Sequence, residues 1–200
     1  GIGLVKLMGR HSGYIAAHAT LANNDVNYCL VPEVPFQLDG ESGLLRALIR
    51  RLHEKHHAVL VVAEGAGQSL LDWSAEPARD PSGNVRLNDI GGFLQRQIEQ
   101  HLTAFGITFT LKYIDPSYTI RSLPANSVDA EFCLVLGQHA VHAGMTGRTN
   151  MAVGFWNRHF THVPLPLITA ESRRLNPNGE VWQRVLESTG QPVRLVDPSI

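Results

Sequence analysis

The sequence predicts an α/β fold in which a parallel β-sheet is covered by helices on both faces. Short apolar runs rich in β-branched residues alternate with longer segments of helical periodicity. The runs are apolar throughout rather than at every second position, which is typical of parallel strands buried on both faces. The chain has 200 residues, of which 44% are hydrophobic, and this length suffices to bury a core without disulfides or metals.

These patterns place the strands and helices along the chain. Strands are predicted, in order, at Ile2 to Leu7, Tyr28 to Val31, Ala58 to Ala63, Ile107 to Tyr113, Met151 to Phe155 and Thr161 to Leu165. Helices are predicted at His11 to Ala22, Glu41 to His56, Ile90 to Phe105 and Asn126 to Ala143. Ser12 is expected to cap the first helix and Gly106 to end the third. Residues 74–84 predict an exposed loop, and 178–200 has apolar residues at helical spacing that should pack on the core.

Composition and charge argue against several classes of protein. Lysine and arginine number 17 against 18 aspartates and glutamates, a net charge of -1, so non-specific nucleic-acid binding is not expected. No apolar run approaches the roughly 20 residues that span a bilayer, and we expect a soluble protein. Cys29 and Cys133 each lie in an apolar stretch and predict two buried free thiols, which suits the cytoplasm. Because Gly1 leads at once into a strand, we consider the chain a fragment of something longer.

Glycines and polar residues follow two predicted strands, at the sheet edge where open α/β folds bind ligands. After the first strand come Gly9 and Arg10, where close backbone approach, a guanidinium and a helix start favour an anionic ligand. The alternative is an ordinary strand-to-helix turn with a surface arginine. After the third strand, Glu64 precedes flexible glycines and could accept hydrogen bonds from sugar hydroxyls, or could simply cap its own loop.

A third polar turn follows the strand near Tyr113, in the run Lys-Tyr-Ile-Asp-Pro-Ser-Tyr-Thr-Ile-Arg. Lys112, Tyr118 and Arg121 could converge on a phosphate, the arginine in bidentate fashion and the lysine as a point charge. The alternative is a solvated loop in which Tyr118 is half-buried. The density of polar groups after an apolar strand favours the phosphate-binding interpretation.

A fourth segment joins a helix end to a glycine turn and contains His139 and His142. Similar His-x-x-His pairs occur at His53 with His56 and at His159 with His162. This spacing differs from the i,i+4 pattern of helical zinc sites, and no third ligand is close in sequence. We therefore expect packed or surface histidines and no metal bound by this chain.

Taken together, four motifs resemble the phosphofructokinase family. They are Met-Gly-Arg at 8–10, Ala-Glu-Gly at 63–65, the Lys-Tyr-Ile-Asp-Pro-Ser-Tyr-Thr-Ile-Arg run at 112–121, and His-Ala-Gly-Met-Thr-Gly at 142–147. Each motif alone is weak, but their joint occurrence in this order is specific and spans essentially the whole chain. The third run resembles the ATP-dependent branch of plants, trypanosomes and some bacteria.

The resemblance implies a role for each residue of the first two motifs. Met8, Gly9 and Arg10 would line the fructose 6-phosphate site. Arg10 would also reach the phosphoryl group during transfer and would therefore be a catalytic residue. Glu64 would hydrogen-bond sugar hydroxyls. A fructose 6-phosphate site of this kind would place the substrate at the carboxyl edge of the predicted sheet.

In the third motif, the resemblance implies that Tyr118 and Arg121 hold the 6-phosphate. Tyr118 stands where the short bacterial enzymes have a histidine. Lys112 falls at an arginine that in those enzymes reaches a neighbouring subunit's substrate, which implies a homo-oligomer with a shared site. Two departures are visible: Gly1 aligns with another cross-subunit arginine, and the position of an acidic effector-site residue of those enzymes falls near Asn27.

The family's nucleotide loops and aspartate base precede the Met-Gly-Arg motif, so the resemblance implies a three-layer phosphofructokinase-like fold that is incomplete at its N-terminus. Residues 1–115 would form the sugar-phosphate-binding domain, and 116–200 would return to the nucleotide-binding domain and add a closing helix. The implied function is that of the C-terminal portion of a cytoplasmic, glycolytic 6-phosphofructokinase. That enzyme transfers the ATP γ-phosphoryl group to the 1-hydroxyl of fructose 6-phosphate, with ATP and Mg²⁺ bound mostly outside this portion, which alone would be inactive. The alternatives are a non-catalytic sugar-phosphate-binding module and a pyrophosphate-dependent phosphofructokinase.

Overall fold

The structure, a computed structural model, describes residues 1–71, 78–81, 83–170 and 172–197, and the side chain of Tyr118 lies outside this description. The chain divides into two compact units. The first comprises Gly1–Tyr118 and Arg174–Ile200, and the second comprises Thr119–Arg173. The expected functional division at residue 115 stays a prediction. Residues 74–77 and 82 of the predicted loop at 74–84 lie outside the described residues, and the other residues of that segment are in no helix and mostly exposed, as predicted.

A four-stranded parallel sheet forms the centre of the first unit. Its strands are β1 (Ile2–Leu7), β2 (Tyr28–Leu30), β3 (Ala58–Ala63) and β4 (Leu111–Ile114), in the spatial order β2-β3-β1-β4. The central strands β1 and β3 pair along their whole length, so they end at the same level of the sheet. This arrangement confirms the predicted parallel α/β architecture.

Helices cover the sheet on both faces and complete three layers. In chain order the helices are α1 (Tyr14–Leu21), α2 (Leu44–Lys55), α3 (Ile90–Ala104), α4 (Ser117–Ser122), α5 (Ser127–Met145), α6 (Leu165–Thr169) and α7 (Glu180–Thr189). In the first unit, α1 contacts β2, β3 and α7, whereas α2 contacts β3 and α3, and α3 contacts β1 and β4. The sheet therefore lies between an α1/α7 layer and an α2/α3 layer.

The hydrophobic core of the first unit lies on both faces of the sheet. Leu4 and Leu60, on the central strands, are fully buried, as are Leu94 and Ile98 of α3. Trp182 of α7 is buried in the same cluster. The C-terminal segment thus packs on the core, as its apolar spacing predicted.

Two predicted element boundaries are wrong for identifiable reasons. Helix α1 begins after Gly13, whose N–H is taken by the Glu33 carboxylate (3.0 and 3.1 Å), and Ser12 does not cap it. The strand predicted from Ile107 begins at Leu111 instead. Ile107 N–H donates to the Leu102 carbonyl (3.0 Å) one residue after Gly106, which has φ +66. This is a Schellman ending of α3, so the apolar residue belongs to the helix cap rather than to the strand.

The second unit contains an antiparallel hairpin. Its strands β5 (Met151–Trp156) and β6 (His159–Pro164) form a two-stranded antiparallel sheet, so the prediction that these apolar runs join a parallel sheet is wrong. Asn157 and Arg158, with φ values of 47 and 65, form the connection. Two residues at positive φ make the tight turn that joins antiparallel neighbours, whereas parallel strands need a long crossover.

The prediction for the two cysteines is confirmed only in part. Both cysteines are free. Cys29 is buried, and burial raises the pKa of its thiol to about 11. The prediction that both thiols are buried is wrong for Cys133, which is exposed on α5, a helix that also exposes Val128 and Leu134.

Among the residues described, no helix combines the length and apolar character needed to cross a bilayer.

The central strands should dominate the stability of the first unit. Because Leu4 is fully buried on β1, Leu4→Ala should lower the free energy of unfolding by about 2–5 kcal/mol through lost burial and a residual cavity. Urea denaturation followed by circular dichroism measures this loss. Ile15→Ala, at a side chain that is 48% exposed on α1, should change stability by about 0.5 kcal/mol or less. Equal losses in the two variants would contradict the placement of the core.

Candidate functional site

The carboxyl ends of β1 and β3 are joined by three hydrogen bonds. The Glu64 N–H donates to the Leu7 carbonyl (2.9 Å), and the Gly65 N–H donates to the Gly9 carbonyl (3.0 Å). In return, the Gly9 N–H donates to Glu64 Oε1 (3.3 Å). The motif around Gly9 and the motif around Glu64, which are 55 residues apart in sequence, therefore lie against each other. We refer to this junction, residues 7–10 with 63–65, as the β1/β3 edge.

Glycine is required at two positions of the β1/β3 edge. Gly9 has φ +142, and a Cβ added there would lie 2.6 Å from the Ser12 carbonyl oxygen. A Cβ added at Gly65 would lie 1.9 Å from the Arg10 carbonyl oxygen. Both contacts are with backbone, which cannot rotate away as a side chain could. The two strand ends approach each other this closely only because neither glycine carries a side chain.

Arg10 is held at the rim of a pocket beside the β1/β3 edge. Its Nη2 pairs with Asp80 Oδ2 at 3.1 Å, and its Nη1 donates to the Val85 carbonyl at 3.4 Å. The pocket has a volume of about 260 Å³, and its lining includes Arg10, Gly65 and Gln68. A guanidinium carries five N–H donors. Arg10 can therefore remain attached to the 78–85 segment and still offer donors to an anion in the pocket.

A glutamine and an aspartate that the sequence motifs do not single out also organise this site. Gln68 Nε2 donates to the Glu64 carbonyl (2.8 Å) and to the Asn88 carbonyl (3.0 Å), while the Asn88 N–H donates to Gln68 Oε1 (3.1 Å). Gln68 thus fastens the loop after β3 to the segment before α3. Asp80 orients Arg10 in the same indirect way. Both residues act through contacts between distant segments, which no local spacing reveals.

A second charged group lies at the ends of β1 and β4. Lys6 Nζ contacts Asp115 Oδ2 at 2.8 Å and Asp89 Oδ1 at 3.2 Å. The Tyr113 hydroxyl donates to the same Asp89 oxygen at 3.4 Å. We call Lys6, Asp89, Tyr113 and Asp115 the Lys6 network. It ties together β1, β4 and the residue that precedes α3.

The contacts of the Lys6 network shift the pKa values of Lys6, Asp89 and Tyr113. Partial burial by itself lowers the pKa of Lys6, but hydrogen bonds to Asp115 and Asp89 outweigh it and raise the pKa above the usual lysine value. Burial alone raises the pKa of Asp89, but the Gly92 N–H and the Lys6 ammonium lower it below the usual aspartate value. Burial raises the pKa of Tyr113. At neutral pH the lysine and Asp89 are therefore charged and the tyrosine is neutral.

The other site residues predicted from the sequence are distributed over both units. Met8, within the β1/β3 edge, is half-buried. Lys112 is exposed on the edge strand β4, next to Tyr113, and alternation along a strand places it on the opposite face of the sheet. Arg121 is exposed on α4 and belongs to the second unit. The side chain of Tyr118 lies outside the described part of the chain, so the predicted convergence of these groups on a phosphate stays a prediction.

Two histidines of the second unit contact neighbouring side chains. The ring of His139 stacks on Phe160, with centroids 4.6 Å apart. His162 contacts the Arg148 guanidinium. The described residues contain no group of three or more His, Cys, Asp or Glu that could hold a metal ion.

Comparison with known proteins identifies the family of the chain that carries this edge. A family model described as Phosphofructokinase matches residues 1–144, well over half of the chain. The chain belongs to the phosphofructokinase family. Its match contains the β1/β3 edge and the Lys6 network, together with α4.

Sequence relatives of this phosphofructokinase-family chain carry the same name in several organisms. It is 53% identical over 197 residues to the ATP-dependent 6-phosphofructokinase of Amycolatopsis methanolica, covering 96% of this chain and 43% of the relative. It is 49% identical over 201 residues to that of Borreliella burgdorferi, covering 98% of this chain and 45% of the relative. Proteins of the same name from Arabidopsis thaliana and Trypanosoma brucei also match, which confirms the predicted similarity to plants and trypanosomes. The chain spans about half the length of these curated relatives.

The fold itself is shared with solved phosphofructokinases. The pyrophosphate-dependent phosphofructokinase from Marinobacter aquaeolei superposes with a TM-score of 0.66 at 18% identity, covering 94% of this chain and 47% of the other. At this identity the likeness concerns the fold alone. It confirms the predicted three-layer phosphofructokinase-like architecture.

The close approach at the β1/β3 edge predicts a strong effect of one methyl group. Gly65→Ala should lower the free energy of unfolding by about 1–3 kcal/mol, because overpacking must push the two strand ends apart. Gly3→Ala is the matched control, since its new Cβ would meet only Val59 methyl groups at 3.8 and 3.9 Å. Chemical denaturation of both variants provides the comparison, and an equal loss in Gly3→Ala would show that the edge is not tightly packed.

The lowered pKa of Asp89 predicts a pH dependence of stability. The charged carboxylate stabilises the fold above the unfolded-state aspartate pKa of about 4, and this contribution is lost as the pH falls through the lower folded-state pKa. Asp89→Asn should therefore be less stable than the wild type at pH 7 and approach it near pH 3. Because the Asp89 side chain is 59% exposed, added salt should reduce the difference. A stability difference that is constant from pH 3 to pH 7 would contradict the ion pair.

Proposed function

We propose that this chain is the C-terminal portion of a cytoplasmic, glycolytic ATP-dependent 6-phosphofructokinase and that it binds fructose 6-phosphate. Met8, Gly9, Arg10 and Glu64 bind the sugar at the β1/β3 edge. Tyr118 and Arg121 hold the 6-phosphate. Arg10 also stabilises charge on the phosphoryl group that moves to the 1-hydroxyl. The catalytic base lies outside these 200 residues, so the portion alone does not turn over.

The observation that carries this proposal is the junction of Gly9 and Glu64. Glu64 accepts the Gly9 N–H through Oε1, so its carboxylate is oriented at the carboxyl end of the central strands, where α/β sheets bind ligands. Arg10 follows directly and is held in place by Asp80 at 3.1 Å. A fixed carboxylate beside a fixed guanidinium matches a ligand with hydroxyls and an anionic group. The names of the relatives support fructose 6-phosphate as that ligand and ATP as the donor.

The residues described here do not fit a magnesium site. Asp89 and Asp115 are within reach of one cation, but that cation is the Lys6 ammonium, at 3.2 and 2.8 Å. Mg²⁺ bound with ATP would neutralise charge on the transferred phosphoryl group. We propose that residues beyond this chain bind most of the ATP and the Mg²⁺, while this chain contributes the sugar site and the Arg10 guanidinium.

Two further parts of the proposal concern the division into domains and the oligomeric state. Residues 1–115 serve the sugar-phosphate domain, and 116–200 return to the nucleotide domain and supply the closing helix. Lys112 reaches the 6-phosphate bound by a neighbouring subunit, which makes the enzyme a homo-oligomer with shared sites. The exposure of Lys112 on the edge strand β4 supports this role, because a side chain there is accessible to a second copy of the chain.

Calorimetric titration of the chain with fructose 6-phosphate tests the proposal without requiring turnover. The wild type should bind, and Arg121→Ala should weaken binding about tenfold or more, since a charge-assisted hydrogen bond contributes about 1.5–3 kcal/mol. Arg158→Ala is the matched control, an exposed arginine in the hairpin turn of the same unit, and should bind as the wild type does.

The other outcomes separate the alternatives. A folded wild-type chain that binds no fructose 6-phosphate contradicts the proposed function. Equal loss in both arginine variants points to general electrostatics rather than a site at Arg121. Turnover by the isolated chain with ATP or pyrophosphate, measured in a coupled assay, contradicts the proposal that the catalytic base lies elsewhere and identifies the donor.

A further inference from the structure

The Lys6 network lies beside the proposed substrate site but is not part of it. In the register of β1 with β4, Val5 pairs with Ile114. Lys6 follows Val5 on β1, and Asp115 follows Ile114, the last residue of β4. Lys6 Nζ lies 2.8 Å from Asp115 Oδ2. The Lys6 side chain is only 18% exposed. A lysine ammonium with two carboxylate partners and little exposure is held in one position.

The network also fixes the start of α3. Asp89, the residue preceding that helix, accepts hydrogen bonds from the Lys6 ammonium and from the Tyr113 hydroxyl. Gly91 allows this approach, because a Cβ there would lie 2.3 Å from the Tyr113 hydroxyl. Strands β1 and β4 and helix α3 thus share one polar junction. A shift of any of these elements would break at least one of its contacts.

The segment that follows Asp115 needs such support. Ser117 has φ +34, a left-handed conformation that a residue with a side chain adopts at a cost. Conformations of this kind persist where surrounding contacts determine them. Two residues earlier, Asp115 is bound to Lys6. Helix α4 begins at Ser117 and carries Arg121, which the proposed function assigns to the 6-phosphate.

We propose that Lys6 is a positioning residue, which fixes the Asp115–Ser117 turn and with it the start of α4, the helix whose residues the proposed function assigns to the 6-phosphate. This inference rests on the proposed function. Lys6 lies on β1, two residues before Met8, which follows the strand. Two other roles are conceivable for the same contacts: Lys6 could bind the phosphate directly, or it could only stabilise the fold.

Substitution of Asp115 distinguishes positioning from direct binding. If Lys6 contacted the phosphate itself, Asp115→Asn would remove one of the two carboxylates that hold the ammonium, together with a negative charge, and fructose 6-phosphate would bind more tightly. If Lys6 acts through Asp115, the same substitution breaks the link and weakens binding. Lys6→Met should weaken fructose 6-phosphate binding about tenfold, the size expected when a binding group loses its preorganisation.

The test combines calorimetry with thermal unfolding and hydrogen exchange on the whole chain. Lys6→Met, Asp115→Asn and the double variant should bind fructose 6-phosphate with similarly reduced affinity, because each lacks the link. Lys6→Arg should recover most of the affinity. Lys55→Met, at an exposed lysine in the last turn of α2, is the matched control and should behave as the wild type. Amides of residues 117–122 should exchange faster in Lys6→Met than in the wild type, and those of β3 should not.

Each contrary result overturns a stated part of the proposal. Unchanged affinity in Lys6→Met, or tighter binding by Asp115→Asn, overturns positioning by Lys6 while leaving the proposed function intact. Recovery of affinity in the double variant means that Lys6 only relieves repulsion between carboxylates, which also overturns it. Loss of affinity with an equal loss of protection throughout the first unit shows a purely structural role. A folded wild-type chain that does not bind overturns the proposed function and, with it, the role of Lys6 in substrate binding.

Discussion

The close approach of the β1 and β3 ends, where the Gly65 N–H donates to the Gly9 carbonyl, is the constraint on which the rest of the candidate site depends. Without side chains at these two positions, Glu64 can accept the Gly9 N–H, and Arg10 emerges at the rim of the pocket. The parallel pairing of the two central strands brings both segments to the same level. The site is therefore a consequence of sheet topology combined with two glycines, and its charged side chains are placed by backbone geometry.

Much of the fold could be predicted from the sequence because burial leaves a local pattern. The apolar run of β3, and that of β1 apart from Lys6, gives the boundaries of these strands directly. The prediction failed where two signals looked alike. Ile107 is apolar because it covers the end of α3, not because it lies in a strand. The later apolar runs belong to a hairpin whose turn residues, Asn157 and Arg158, include no glycine, the usual mark of such a turn in a sequence.

The motifs of the candidate site could be predicted from the sequence, but the residues that hold those motifs in position could not. Glycine, arginine and glutamate after a strand are visible in the sequence, since their chemistry is local. Asp80, Gln68 and Lys6 act by reaching residues 70, 20 and 83 or more positions away. Such partners depend on strand order and helix placement, which periodicity does not specify. These three residues nevertheless matter for ligand binding, because a guanidinium or carboxylate binds well only when its position is already fixed.

A structure of the chain with fructose 6-phosphate would test the central claim most directly, namely that the β1/β3 edge is the sugar site. The account predicts a sugar hydroxyl within hydrogen-bonding distance of the Glu64 carboxylate, Arg10 on the side of the 1-hydroxyl, and the phosphate on Arg121. A sugar phosphate bound elsewhere, with Glu64 still turned toward the Gly9 N–H and no ligand at the pocket beside Arg10, would contradict it.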